Sequence, residues 1–367
     1  MRMTGLNDLE YIAHQLLETN GDVMKAYENC LSFLLLERVS RYKSVLDTPA
    51  FALLKLPILA LEKVLKQMSP FELLKFSKCS NKTAQLARFG GTRNYTLEIY
   101  FCDNEIFVIK GNERYTFRAV RSSFEYSMIT LNYDNIEKLE EQMEFGFLEN
   151  SLSNLLGQLL EIFECKTISL VKCMNGDIKK FQLCANVINN LKAKVKEVFL
   201  IDEKSNGSNG TKMLKVLDSL NITDELIYSQ KISRKLKFTF EHWPQILDIY
   251  ESSWFDLTTL LATTSVKICL SDSILTNQDL DKFLKRWKAG EYPNLEYLEV
   301  KSKKIRNDYP IFDLIPPIKD ENNTVEVSKK IYNSIILIKE GVEIESANGA
   351  TGVLKVKSSV LQFFAFH

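Results

Sequence analysis

Between residues 51 and 79 the chain carries more apolar side chains than a segment of that size can hide within itself. The run opens with Phe51, Leu53, Leu54, Leu56, Pro57, Ile58, Leu59 and Leu61, continues through Val64, Leu65 and Met68, and closes on Phe71, Leu73, Leu74 and Phe76. Two prolines punctuate it. Pro57 suits the first turn of a helix, where a missing N–H has no bond to lose. Leu61, Val64, Leu65 and Met68 follow at i, i+3, i+4 and i+7, which is one helical stripe. Ser69, Pro70 and Glu72 then have the spacing of a capping box that starts a second helix. That helix is expected to be short, with a polar break near Ser77. A third should begin near Ser80 or Asn81 and carry Ala84, Leu86 and Ala87. Three short helices in about 40 residues cannot enclose all of these side chains. Some must face another surface, either the rest of this chain or a partner.

The remainder has an ordinary globular make-up. With 367 residues, the chain is long enough for two or three folding units. Hydrophobic residues are 45% and charged residues 26%, which excludes a wholly disordered or fibrous chain. Lys plus Arg and Asp plus Glu both number 47, so the basic surplus typical of nucleic-acid binders is absent overall. No apolar run approaches the roughly 18 residues that span a bilayer. The start turns acidic at Asp8 and lacks the apolar core of a signal peptide. Neither nucleic acid nor membrane is therefore expected as a partner. The seven cysteines (Cys30, Cys79, Cys102, Cys165, Cys173, Cys184 and Cys269) are odd in number and widely spaced, with no Cys-x-x-Cys pair. They read as reduced, mostly buried thiols of a cytoplasmic or nuclear protein. Only three histidines are present, so no metal site is expected.

Past Gly90 and Gly91 the texture changes. Tyr95–Phe101, Ile106–Ile109 and Tyr115–Val120 alternate or run apolar between short turns, which predicts an antiparallel meander of three strands. Residues 150–164 have a helical period. Strands and helices then alternate: a strand from Ile168, a helix over Ile178–Leu191, a strand at Val198–Ile201, a helix over Met213–Leu220 and a third strand at Leu236–Phe240. A clear strand follows at Val266–Leu270. Thr276, with Asp279 three residues on, caps a helix whose buried face is Leu280, Phe283, Leu284 and Trp287. Gly290 ends it, and Leu295–Val300 is the next strand. Strand-plus-helix units of about 30 residues suit a leucine-rich-repeat-like solenoid, although the Asn ladder of such repeats is absent; a closed α/β layer is the alternative.

Catalytic motifs are missing. Gly207 to Lys212 is glycine-rich, but its spacing is not that of a phosphate loop. Glu140 and Glu141 belong to an acidic run of the kind found on solvated helix faces. No nucleophile elbow, zinc-protease helix or dinucleotide fingerprint is present.

The segment around Leu56-Pro57, the helix ending at Met68, the turn Ser69-Pro70-Phe71-Glu72-Leu73-Leu74, and Phe76, Ser77, Cys79 and Ser80 together resemble an F-box. A second stretch resembles the type-2 F-box-associated domain, which follows an F-box in a family expanded in nematodes. Its carriers are Trp254, Phe255, Asp256, Leu257, Leu260 and Leu261, then Ser271-Asp272-Ser273, Leu275-Thr276, Asp279-Leu280, Phe283-Leu284, Trp287 and Gly290, and finally Pro293 to Leu298. The resemblance implies an α+β chain: a small three-helix F-box over 49–90, then an F-box-associated domain over 91–367 with its signature at 254–300. That second domain would be an α/β body flanked by antiparallel strands, the last of them at 341–366. Residues 1–48, with two amphipathic helices around Asn20-Gly21, fall outside both and have no assigned role.

In that family the F-box docks on a Skp adaptor, which bridges to a cullin and a RING subunit of a ubiquitin ligase. The resemblance thus implies that Leu56, Pro57, Leu61, Val64, Leu65, Met68, Phe71, Leu74, Phe76 and Cys79 divide between adaptor contact and internal packing. The second domain would capture an unidentified protein target, through residues the motif does not name. Leu280, Phe283, Leu284, Trp287 and Tyr297 stand at core spacing, and Asn277, Asp279 and Asn294 read as caps and turns. The expected role is a non-catalytic substrate receptor without cofactor. The alternatives are an F-box scaffold outside a ligase, or an α/β hydrolase or transferase.

Overall fold

Local capping sets the three helices of the apolar segment in the computed structural model. It describes residues 54, 56–90, 95–120, 126–133, 136–146, 151–174, 178–202, 210–319, 327–331, 334–338 and 340–366. The helices expected within residues 1–48, and the glycine-rich loop from 204 up to its last residues, lie outside the described residues. The chain divides into two units: residues 1–93 with 162–164, and residues 94–161 with 165–367.

In the first unit α1 (Ile58–Gln67) starts from Pro57, whose carbonyl accepts from the Leu61 N–H at 3.0 Å. Helix α2 (Pro70–Ser77) has the expected capping box. Ser69 Oγ accepts from the Glu72 N–H at 3.3 Å, and Glu72 Oε2 accepts from the Ser69 N–H at 2.8 Å. Helix α3 (Asn81–Gly90) repeats the device with different residues: Ser80 Oγ accepts from the Thr83 N–H at 3.1 Å, and Thr83 Oγ1 accepts from the Ser80 N–H at 2.8 Å. Each reciprocal pair satisfies two donors that a helix start leaves orphaned. Helix α3 packs against both α1 and α2. The approach is closest at Gly90, where an added Cβ would stand 2.5 Å from the Leu65 carbonyl oxygen and 2.5 Å from Leu73 Cδ2.

The second unit is organised by a 14-stranded mixed sheet. It begins with the expected meander: β1 (Thr96–Tyr100), β2 (Glu105–Lys110) and β3 (Glu113–Val120), each antiparallel to its neighbour. Beyond β3 the sheet is extended by β5 (Ile136–Gly146), parallel to β3, and by β4 (Tyr126–Tyr133) on the edge. Glu140 and Glu141 therefore lie in a strand, not on a helix face. Pairing with β3 on one side and β4 on the other outweighs the weak strand propensity of those acids.

On its other side β1 pairs in parallel with β6 (Thr167–Met174). Then β7 (Lys194–Ile201), β8 (Ile222–Ser229), β9 (Ile246–Ile249), β10 (Lys267–Leu270) and β11 (Tyr297–Lys301) are laid down in sequence order, every pair parallel. Helix α4 (Ser151–Ile162) leads into β6. Helices α5 (Ile178–Asn190), α6 (Gly210–Ser219), α7 (Leu257–Ala262) and α8 (Asn277–Lys288) fill four of the five crossovers. A strand that advances one position per crossover is the order a strand–helix repeat produces. The sheet is completed by antiparallel β16 (Val360–Phe366), β15 (Thr351–Lys357) and β14 (Val342–Glu345), while β12 (Val327–Ile331) and β13 (Ser334–Ile338) form a separate hairpin. The fold is α+β, as expected.

The crossover without a helix corrects one expectation. Leu236–Phe240 is not a strand. Its alternation places Phe238 and Phe240 in an aromatic cluster with Trp243, Trp254 and Phe255, ring centroids 5.0–6.2 Å apart and edge to face. Stacking of rings satisfies the apolar side there, and the sheet positions go to β8 and β9 instead. The signature helix α8 is as expected: Thr276 and Asp279 form a capping box, and Gly290 follows with φ +94°, the left-handed conformation that ends helices cheaply.

Gly90→Ala should lower the stability of the full-length chain by about 1–3 kcal/mol, because the new methyl meets a backbone oxygen that has nowhere to move. Urea denaturation with helical ellipticity as the probe measures it.

Candidate interaction surface

The residues singled out in the apolar segment separate by burial. Leu61, Leu65, Phe71 and Leu74 are buried, together with Leu73. Leu56, Val64, Met68 and Phe76 are half-buried, and Pro57 and Cys79 are exposed. Four of the ten are therefore sealed in the free chain and shape the unit from within.

Several large apolar side chains outside that set are exposed instead. Leu54 is 41% accessible, Ile58 55%, Leu59 71% and Phe89 45%. Leu54, Pro57, Ile58 and Leu59 form a ridge at the entry to α1. A sequence signal for Leu59 existed: it shares its helical face with Glu62, Lys63 and Lys66, the solvated side of α1. An isolated exposed leucine means little, but a run of them at a helix start marks a contact surface.

The three helices carry an excess of exposed basic side chains. Lys63, Lys66, Lys75, Lys78, Lys82 and Arg88 are all exposed on these helices, against half-buried Glu62 and Glu72. Lys66 Nζ meets Glu62 Oε1 at 2.5 Å one turn away, an exposed pair that adds little stability. Cys79 Sγ donates to the Lys75 carbonyl at 3.5 Å.

In the second unit, Leu280, Phe283, Leu284, Trp287 and Tyr297 are all buried, so they pack. Asp279 caps α8, and Asn294 is exposed in a turn. Asn277 does something else. It is buried, its Nδ2 donates to the carbonyls of Arg306 and Tyr309 at 2.9 and 2.6 Å, and its Oδ1 accepts from the Arg306 N–H at 2.8 Å. It fastens the loop after β11 to the start of α8. The cysteines are mixed: Cys173 and Cys184 are buried, Cys165 and Cys269 half-buried, and Cys79 and Cys102 exposed. Burial pushes the thiols of Cys165 and Cys184 up to about 12, which keeps them protonated and unreactive. Among the described residues no group of His, Cys, Asp and Glu is arranged to hold a metal ion, and no helix is long and apolar enough to cross a membrane.

Comparison with known families agrees with this anatomy. The F-box domain family matches residues 53–89, which contain all three helices apart from Gly90. The F-box associated family matches residues 230–300, which take in the aromatic cluster, β9, α7, β10, α8 and most of β11. The resemblance seen in the sequence thus holds for both segments. No curated protein and no solved structure matches the chain.

Leu65→Ala should cost about 2–5 kcal/mol of stability, whereas Leu59→Ala should change it by less than about 0.5 kcal/mol. Paired urea denaturation curves of the two full-length variants measure this, and a similar cost for both would mean that Leu59 is not a free surface residue.

Proposed function

We propose that a chain combining an F-box domain with an F-box-associated segment serves as the substrate-recognition subunit of a Skp–cullin–F-box ubiquitin ligase. The observation that carries this reading is the ridge of Leu54, Pro57, Ile58 and Leu59, left exposed on a helical unit whose own core is already filled by Leu61, Leu65, Leu73 and Leu74. Half-buried Leu56, Val64, Met68 and Phe76, with Cys79, widen the adaptor-contact surface. The basic excess on these helices supports a partner that carries acidic side chains, because complementary charge speeds docking and fixes register. We place the F-box at 49–90 and the target-binding domain at 91–367.

In this reading the chain contributes binding and no bond-making chemistry. Holding a target beside a ubiquitin-loaded enzyme turns a bimolecular encounter into a nearly intramolecular one, so the rate gain comes from effective concentration. Such a subunit works in the cytoplasm or nucleus, where adaptor and cullin are found.

Ile58→Asp combined with Leu59→Asp should abolish capture of the chain by an immobilised Skp adaptor without lowering its melting temperature. Leu59→Ala alone should weaken capture about 30-fold, corresponding to about 2 kcal/mol. The residual affinity should fall with added salt, because the basic side chains of these helices are exposed. Capture of the double variant at wild-type strength overturns the adaptor assignment. Ubiquitin transfer by the reconstituted complex with cullin and RING subunits separates a ligase receptor from a scaffold that uses the same adaptor.

A further inference from the structure

The crossover from β8 to β9, the one without a helix, concentrates positive charge. From Leu226 to Phe240 the sequence has no acid, yet Lys231, Arg234, Lys235 and Lys237 all fall within it. The whole chain, by contrast, has as many acidic as basic residues. All four cations are exposed, and none of their side chains has a hydrogen bond or an ion pair within the protein. Elsewhere on the surface Lys66, Lys285, Arg286 and Lys301 each meet a carboxylate.

The segment that carries these charges is held from beneath. Ile232 and Phe240 are buried, and α6 closes on the start of the loop, where a Cβ added at Gly210 would stand 2.9 Å from the Lys231 carbonyl oxygen. The Leu236 N–H donates to the Ser233 carbonyl at 2.9 Å and turns the chain. Thr259 Oγ1 donates to the Phe238 carbonyl at 3.2 Å, Asp218 Oδ1 accepts from the Glu241 N–H at 2.8 Å, and Ser265 Oγ donates to the Pro244 carbonyl at 2.7 Å. With the Phe238 and Phe240 rings turned into the aromatic cluster, the alternate residues Lys235, Lys237 and Thr239 are left outside. The N–H groups of Lys237 and Thr239 donate to nothing in the protein. Cations and free donors thus lie along one strip that is already ordered, so a partner loses little affinity to fixing it. The strip calls for negative charge and hydrogen-bond acceptors in a row. A single-stranded nucleic acid would also need free rings to stack on, and here the rings face inward. A membrane would need apolar side chains outside, whereas the exposed residues from Lys231 to Thr239 are Lys231, Ser233, Arg234, Lys235, Lys237 and Thr239. A lone phosphate would need cations converging on one point, and Lys235 and Lys237 instead alternate along the chain.

We propose that the strip from Lys231 to Thr239 docks an extended acidic segment of the protein target, whose carboxylates at alternate positions meet Lys235 and Lys237. Alternate side chains of an extended partner share one face, which matches this spacing. The proposal rests on the reading above, which gives the target to the second unit. The match to the F-box associated family begins at residue 230 and so includes the strip.

The probe is a short fluorescein-labelled peptide of alternating glutamate and threonine, with a counterpart in which glutamine replaces glutamate. Fluorescence anisotropy with the full-length chain at low ionic strength should show binding of the first and none of the second. Lys235→Gln with Lys237→Gln should weaken binding of the glutamate peptide about tenfold, the loss of two exposed charge pairs. Lys235→Arg with Lys237→Arg should keep it. Lys303→Gln with Lys304→Gln, adjacent exposed lysines after β11, should leave it unchanged and so controls for net charge. Because Lys235 and Lys237 hold nothing by their side chains, the melting temperature of their glutamine variant should equal that of the wild type, which separates lost binding from lost folding. Equal binding of both peptides, equal loss in the two glutamine double variants, or wild-type affinity in Lys235→Gln with Lys237→Gln overturns the proposal. So does tighter binding of a peptide with a single phosphoserine, or of oligothymidylate, than of the glutamate peptide. Adaptor capture, measured on the same preparations, reads the other assignment independently: loss of one leaves the other standing.

Discussion

The close seating of α3 on α1 and α2 at Gly90 decides what the helical unit can offer to a partner. With only a hydrogen at that position, the Leu65 backbone and the Leu73 side chain come within reach of the α3 terminus, and Leu61, Leu65, Phe71, Leu73 and Leu74 are removed from water. Once that small interior is full, Leu54, Ile58 and Leu59 have no seat in it. Exposed leucine and isoleucine forgo roughly 1.5–3 kcal/mol each that burial would release. A partner that covers the ridge recovers this energy, and the fold of the unit does not have to change for it.

The sheet unit solves a similar problem differently. Each parallel strand from β6 to β11 joins beside its predecessor, so one face of the run is buried throughout. The other face mixes charge with packing: Glu197, Glu225 and Glu299 stand there with buried Ile227, Asp248 and Tyr297. Glu299 is held by Lys301, Gln362 and Tyr297, whereas the pKa of Glu225 is raised first by burial and then by Glu197 and Asp248, with Lys267 opposing.

Features with a local cause were legible in the sequence. The capping boxes at Ser69 and Thr276, the end of α8 at Gly290 and the meander β1–β3 each depend on a few adjacent residues. Features with a distant cause were not. Leu236–Phe240 alternates like a strand, but Trp243, Trp254 and Phe255 claim its aromatic rings. Strand β9 has only four residues, and β8 is interrupted by Thr223, Asp224 and Glu225, so neither has a strong periodic signature. The acidic β5 becomes a strand only because β3 and β4 flank it. At the candidate surface, spacing identified the stripe through Leu61, Val64, Leu65 and Met68. Which apolar residues stay outside depends on how three helices meet, a tertiary property that Leu59, on the charged side of α1, only hinted at.

The most direct test is hydroxyl-radical footprinting of the full-length chain, free and bound to a purified Skp adaptor. Oxidation of Leu54, Ile58 and Leu59 should be strong in the free chain and suppressed in the complex, while Leu61 and Leu65 stay protected in both. Equal oxidation of the ridge with and without adaptor, under conditions where the complex forms, would contradict the adaptor assignment.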